Sequence, residues 1–302
     1  MKRKVTLHGP ATLSVSLPLK WARKYNVKKG DEVDVIEDGN NLIISEDSKK
    51  ISKSIHIDFN NYEKRLIRLT LNNLYRQGYD NIKIYYDSLN QLKHIQESCT
   101  QLLPGFEIIK TGQGFCSIES ILSPDQSKFD VLYRRAFLSI HEMMLHFKES
   151  LFKEEIDPEM VEAEHLKIEQ YCNFCIRELL IAKDEKRFIE LYTTLYLMMI
   201  PSTIKRLSKY IKENNITKID PKIIKYFDQI SDIYHELYDS YFKSDMEKLN
   251  LINSKIEKMI IEEVSNKQII ITNYLSQIVR FMLILISPFT MNVHKISHED
   301  ML

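Results

Sequence analysis

The sequence predicts a multidomain α+β protein: a small β-rich front, a compact α/β module and an all-α body of two three-helix units. Two observations carry this reading. All seven glycines precede residue 115, and none follows. Tight turns between strands need the positive-φ freedom of glycine, whereas helical bundles can do without it. Beyond residue 125 the apolar residues instead recur at spacings of four and three, the period of long packed helices.

The front, residues 1–46, alternates as short strands do. Val5-Thr6-Leu7 leads into a His8-Gly9-Pro10 turn, and Leu13, Val15 and Leu17 alternate with Ser14 and Ser16. Pro18 opens a short helix over Leu19–Tyr25. Lys29-Gly30-Asp31 turns the chain into Val33, Val35 and Ile36, and Asp38-Gly39-Asn40-Asn41 signals a hairpin before Leu42-Ile43-Ile44. So few apolar residues bury little core alone, which points to a second copy of the chain. Glu46–Ser54 reads as a charged, serine-containing linker.

Residues 54–121 read β-α-β-α-β-β. Ile55 and Ile57 start a strand, Tyr62–Arg76 a helix, Asn81–Tyr86 a strand and Leu89–Leu103 a helix. Phe106–Lys110 and Phe115–Ile118 flank a turn at Thr111-Gly112-Gln113-Gly114. No helix opens after these glycines, so they read as turn residues and not as a phosphate-cradling loop.

Residues 125–302 form the helical body. Ser123-Pro124 precedes it, and Asp157-Pro158 and Asp220-Pro221 are helix starts with aspartate as N-cap. Tyr133, Phe137, Ile140, Met144, Phe147 and Leu151 form one stripe, and Val161, His165, Ile168, Cys172, Cys175 and Leu179 the next. A third helix from about Glu185 to Lys212 is interrupted at Pro201. Three more helical windows follow, near 222–242, 245–265 and 267–286.

Charge and cysteine usage bound the function. The 42 basic and 42 acidic residues cancel, which argues against indiscriminate coating of nucleic acid. Locally the balance is broken: Lys2, Arg3, Lys4, Lys20, Arg23, Lys24, Lys28 and Lys29 all precede the first acid, Asp31. Such a surface binds phosphates with release of counterions. Four scattered cysteines suggest a reducing, cytoplasmic setting. The longest apolar runs, Leu195–Ile200 and Phe281–Ile286, fall short of a membrane span, so no membrane insertion is expected.

Two motifs resemble catalytic or metal-binding sequences, and neither reads as a site. His141 and His146 are five residues apart, about 140° around a helix, which excludes a shared zinc. Cys172 and Cys175 lie mid-helix on the apolar stripe without a second cysteine pair and read as core. Trp21 is expected to pack against the dimer core.

The residues Ser14-Val15-Ser16-Leu17-Pro18-Leu19-Lys20-Trp21, Arg23-Lys24 and Val27-Lys28-Lys29-Gly30-Asp31-Glu32-Val33 resemble the swapped-hairpin domain of the AbrB/SpoVT/MazE type. Gly78-Tyr79-Asp80-Asn81-Ile82 and Leu103-Pro104-Gly105-Phe106-Glu107-Ile108-Ile109 resemble the middle module of archaeal PhoU-like phosphate uptake regulators, and the helices beyond 125 resemble the PhoU bundle. These resemblances imply a homodimer joined through N-terminal hairpins, DNA binding, and negative regulation of phosphate uptake. They place Arg3 and Arg23 at basic positions of the DNA-binding domain, with Ala22 and His8 where relatives carry arginine. The alternative they imply is a signalling adaptor that binds a phosphate transporter or sensor kinase, with the hairpins only dimerising.

PhoU bundles also hold divalent cations or iron through carboxylates one helical turn apart. Here the first such site reads His165-Leu166-Lys167-Ile168-Glu169. The second motif aligns with Lys205-Arg206-Leu207-Ser208-Lys209-Tyr210, with lysine in place of both acids. Glu162, His165, Glu169 and Cys172 share one helical face and remain weak metal candidates, with a core role favoured. No cofactor and no catalytic residue are therefore expected, against a third reading as a metal-dependent bundle enzyme.

Overall fold

A computed structural model describes residues 2–10, 12–38, 41–46, 52–121, 128–182, 187–259 and 268–299. The Gly39-Asn40 turn, linker residues 47–51, Ser123-Pro124 and the start of the third helix at Glu185 lie outside them. The chain divides into two compact units, Met1–Ser52 and Lys53–Leu302.

The first unit contains two antiparallel hairpins. Val5–Leu7 (β1) pairs with Leu13–Val15 (β2), and Val33–Asp38 (β3) pairs with Asn41–Glu46 (β4). Helix α1, Leu19–Lys24, stands between the hairpins in the sequence. In β1–β2 the register sets Val5 opposite Val15 and Leu7 opposite Leu13. Strand alternation then puts all four on one face, and Thr6 and Ser14 on the other, where their hydroxyls meet at 2.9 Å. Val5, Leu7 and Leu13 are more than 60% exposed. None of the side chains described in this unit is buried.

The second unit begins with the β-α-β-α-β-β module. Ser54–Asp58 (β5), Asn81–Tyr85 (β6), Phe106–Gly112 (β7) and Phe115–Ser120 (β8) form one sheet in the order β5-β6-β8-β7. The first pair is parallel and the others antiparallel. A parallel pair requires a crossover, supplied by Lys64–Arg76 (α2). Leu89–Leu102 (α3) follows β6. Ile82, Ile84, Cys116 and Ile118 meet Ile67, Leu71, Ile95 and Leu102 of these helices in one core.

The body comprises Phe129–Lys153 (α4), Pro158–Ala182 (α5), Phe188–Leu197 (α6), Met199–Glu213 (α7), Pro221–Lys243 (α8), Met246–Glu257 (α9) and Ile269–Glu299 (α10). Both aspartate–proline starts are helix starts. Asp157 Oδ1 accepts from the Glu159 N–H at 2.9 Å and Asp220 Oδ1 from Lys222 at 2.9 Å. The break in the third helix falls at Met198, three residues ahead of Pro201. Proline lacks an N–H, and its ring clashes with the carbonyl four residues back, that of Leu197. The two stripes are the core: Phe137, Ile140, Met144, Phe147, Ile168, Cys172 and Cys175 are buried with residues from every other helix of the body. Glycine-free helix ends have a cost. Glu154 and Ser244 take left-handed φ values of 59° and 53° to end α4 and α8.

Within α10, Ile269–Met291 is long and apolar enough to cross a membrane by length and composition, which the short uninterrupted runs did not suggest. One face of it, with Ile271, Leu275, Ile278, Met282, Leu285 and Phe289, is buried in the helical core. That burial accounts for one face of the helix, while Ile269, Ile270, Leu283 and Met291 are exposed.

Module and body are joined by two polar ladders at four-residue spacing. Arg68, Asn72 and Arg76 line one face of α2, and Glu169, Asn173 and Arg177 one face of α5. Arg68 and Asn72 donate to the Glu169 carboxylate. Arg76 donates twice to Asn173 Oδ1, at 2.9 and 2.6 Å, while Asn173 Nδ2 donates to the Leu102 carbonyl at 2.8 Å. Arg177 donates to the carbonyls of Tyr75 and Tyr79 and to Asp80, and its guanidinium lies over the rings of Tyr75 and Phe106. Gly78, at φ +80°, admits the close approach of α5; a Cβ there would lie 2.9 Å from Ile181.

This interface makes a direct prediction. Arg177→Ala would take the guanidinium from two carbonyls and from the Asp80 carboxylate, which keeps the Lys53 N–H, and should cost about 3–5 kcal/mol in urea unfolding of the whole chain. Arg177→Lys should recover little, because an ammonium cannot reproduce the planar fork. A loss below about 1 kcal/mol for the alanine variant would contradict this account.

Candidate nucleic-acid interface

The eight basic residues before position 30 fall in three places. Lys2, Arg3 and Lys4 lead into β1. Lys20, Arg23 and Lys24 lie on α1 at spacings of three and four, hence on one face. Lys28 and Lys29 occupy the turn after it. All eight side chains are exposed.

Local chemistry fixes these positions. Pro18 caps α1 at φ −64°, and its carbonyl accepts from the Ala22 N–H at 3.0 Å. Arg23 and Lys24 complete the last turn, where a cation is favoured by the helix dipole. Gly30 holds φ +99°, and Asp31 Oδ2 accepts from the Lys28 N–H at 2.7 Å, so the Lys-Gly-Asp sequence is a closed turn. This first acid of the chain is engaged with the backbone. Trp21 is half-buried, and its ring centroid lies 5.5 Å from that of Tyr25. Eight exposed cations ahead of β1, on α1 and in the turn after it can bind a polyanion.

The second set of candidates lies in the body. Glu162, His165, Glu169 and Cys172 follow one face of α5; Lys205 reaches the first two, and His165 Nδ1 lies 3.8 Å from Glu169. Glu162 accepts from Lys205 at 3.3 Å and from Lys209 at 2.6 Å, so the two lysines share one carboxylate. Those cations hold the Glu162 carboxyl below its ordinary range, against the opposing effect of burial. His165 faces Ser202 Oγ at 3.1 Å and Lys205 at 3.5 Å. Glu169 belongs to the ladder with Arg68 and Asn72. Cys172 is buried among apolar side chains, and burial pushes its thiol up to about 12. Among the described residues no three His, Cys, Asp or Glu side chains are grouped as a metal site would require.

The two histidines of α4 diverge as their spacing requires. His141 stacks on His235 at 4.7 Å, whereas His146 Nδ1 lies 2.5 Å from Glu164. Sequence reasoning did not identify Arg65 and Arg68, which line a cleft together with Glu162, His165 and Lys205. The available signal was the spacing of Arg65, Arg68, Asn72 and Arg76, a polar stripe on an otherwise amphipathic helix.

His165 makes the acid response predictable. Burial first, and then the Lys205 charge, lower its pKa to about 4. The unfolded chain therefore takes up the proton before the folded one does. The stabilisation from keeping this imidazole neutral is complete above about pH 6.5 and is lost as pH falls toward 4. His165→Gln should remove on the order of 3 kcal/mol of that acid loss, read from urea midpoints across this window. Parallel losses in parent and variant would show that another group governs it.

Residues 9–55 match a family model described as antidote-toxin recognition MazE, bacterial antitoxin. The match spans β2, α1, β3 and β4 and ends at the start of β5. Neither a curated protein nor a solved structure matches the chain. The front of the chain thus carries a MazE/AbrB-type domain, which points to DNA-binding or antitoxin-type regulation.

Proposed function

We propose that this protein is a dimeric, non-enzymatic DNA-binding regulator that acts in phosphate homeostasis, as a negative regulator of phosphate uptake in the cytoplasm. The observation that carries the DNA-binding part is the run of eight exposed cations, free of acids, inside and just ahead of the matched MazE-type segment. Two copies joined through their N-terminal hairpins double that charge and cover the apolar face of β1–β2. The phosphate part is supported by the resemblance of the middle module and the helical body to PhoU-like regulators. In this reading the body receives the signal and the front end conveys it to DNA. Its input is a small ligand or a partner such as a phosphate transporter component or sensor kinase.

Binding of the full chain to the DNA upstream of its own gene, titrated with salt, tests this reading. Arg3→Ala with Arg23→Ala should weaken binding and reduce the slope of log affinity against log salt by roughly four for a dimer, about one per lost phosphate contact. If the double variant keeps the affinity and slope of the parent, the hairpins serve dimerisation alone and the adaptor reading replaces this one.

A further inference from the structure

A cleft of about 1020 Å³ opens between the first turns of α2 and the adjoining faces of α5 and α7. Its charges do not balance. Glu162 serves both Lys205 and Lys209, and Glu169 is already engaged by Arg68 and Asn72. Arg65 lies three residues before Arg68 on the same side of α2, is exposed, and has no ion-pair partner among the described residues. Four cations thus face two carboxylates. The rim adds Lys64, paired with Glu97 at 3.0 Å, and the exposed Glu63, which leaves the lining with a net positive charge. His165, held neutral, adds none at physiological pH.

The least exposed of these cations is Lys205. Its side chain is 19% exposed, it shares the Glu162 carboxylate with Lys209, and its other neighbours are the His165 imidazole, the Arg68 guanidinium and the Glu169 carboxylate that Arg68 engages. A partly desolvated ammonium that shares its counter-ion is stabilised by any further anion that reaches it. Arginine supplies planar, two-pronged donors to phosphoryl oxygens and lysine a compact charge. The cleft is much larger than a bare oxyanion, and Leu69, Leu166 and Met198 give it an apolar wall. Its dimensions suit a small organic ligand with a charged end.

We propose that this cleft binds a phosphoryl group, carried by a small organic molecule or as free phosphate, with Arg65, Lys205 and Lys209 as its cationic contacts. The cleft lies across the seam between module and body, so occupancy would tighten one against the other. The inference deepens the phosphate reading above and rests on it for the choice of probe. It is tested without DNA, so either can fail alone.

The experiment is calorimetric titration of the full chain with inorganic phosphate, pyrophosphate and ADP, at ionic strength held constant with chloride. At least one probe should bind saturably, and Arg65→Ala and Lys209→Gln should each weaken it about tenfold. Both substitutions are at exposed side chains, and unchanged thermal midpoints without ligand would verify that the fold is intact. Binding of phosphate alone assigns the site to the free anion. Binding of ADP or pyrophosphate in preference assigns it to a phosphorylated metabolite. No saturable binding of any probe up to about 10 mM, or equal binding by parent and both variants, would overturn the proposal.

Discussion

The paired ladders of α2 and α5 are the interaction on which the larger unit depends. Without them the module and the helical body would be two separate apolar cores with polar helix faces between them. Glu169, Asn173 and Arg177 are each buried, and each is satisfied from the other side of the seam. Buried polar groups of this kind specify an arrangement more than they add net stability, since removing one partner strands the other. The seam therefore has one well-satisfied register. Beside it the pattern is incomplete: past Glu169 toward the α5 N-terminus, Glu162 is left with two lysines, and the cleft begins there.

The front unit follows the opposite principle. It has turns, strands and a capped helix, each explained by neighbouring residues, yet none of its described side chains is buried. Val5, Leu7, Leu13 and Val15 form one apolar face that its own chain leaves open. At about 25 cal/mol per Å² of apolar surface, that face is a strong drive toward association. The same segment concentrates cation on flexible side chains. In the proposed reading, assembly and polyanion binding belong to one short stretch, and the first supplies the rigidity that the second needs.

What could be read from the sequence was local. Lys28–Asp31 closes as its glycine and aspartate foretell, Asp157-Pro158 and Asp220-Pro221 start helices, and the stripes through Phe137 and Cys172 are core. What could not be read was partnership over long separations. Nothing near Arg177 indicates that Asp80 lies across from it, 97 residues away. Glu162, His165, Glu169 and Cys172 looked equivalent on a helical wheel, but Lys205 reaches the first two, Arg68 and Asn72 engage Glu169, and Cys172 is buried. The absence of glycine correctly marked the helical body, although Glu154 and Ser244 adopt the left-handed geometry that glycine would have taken at lower cost. The apolar length of α10 emerged only when its scattered short runs were joined in one helix.

In the proposed function the front unit becomes a DNA-binding surface by pairing with a second copy of itself. Sedimentation equilibrium of the full chain, parent against Leu13→Asp, tests it most directly when the same samples are assayed for DNA affinity. The parent should sediment as a dimer at micromolar concentration. The variant, with a charge on the open face of β1–β2, should dissociate and lose DNA affinity together. A parent that is monomeric at that concentration while binding DNA with full affinity would contradict the account.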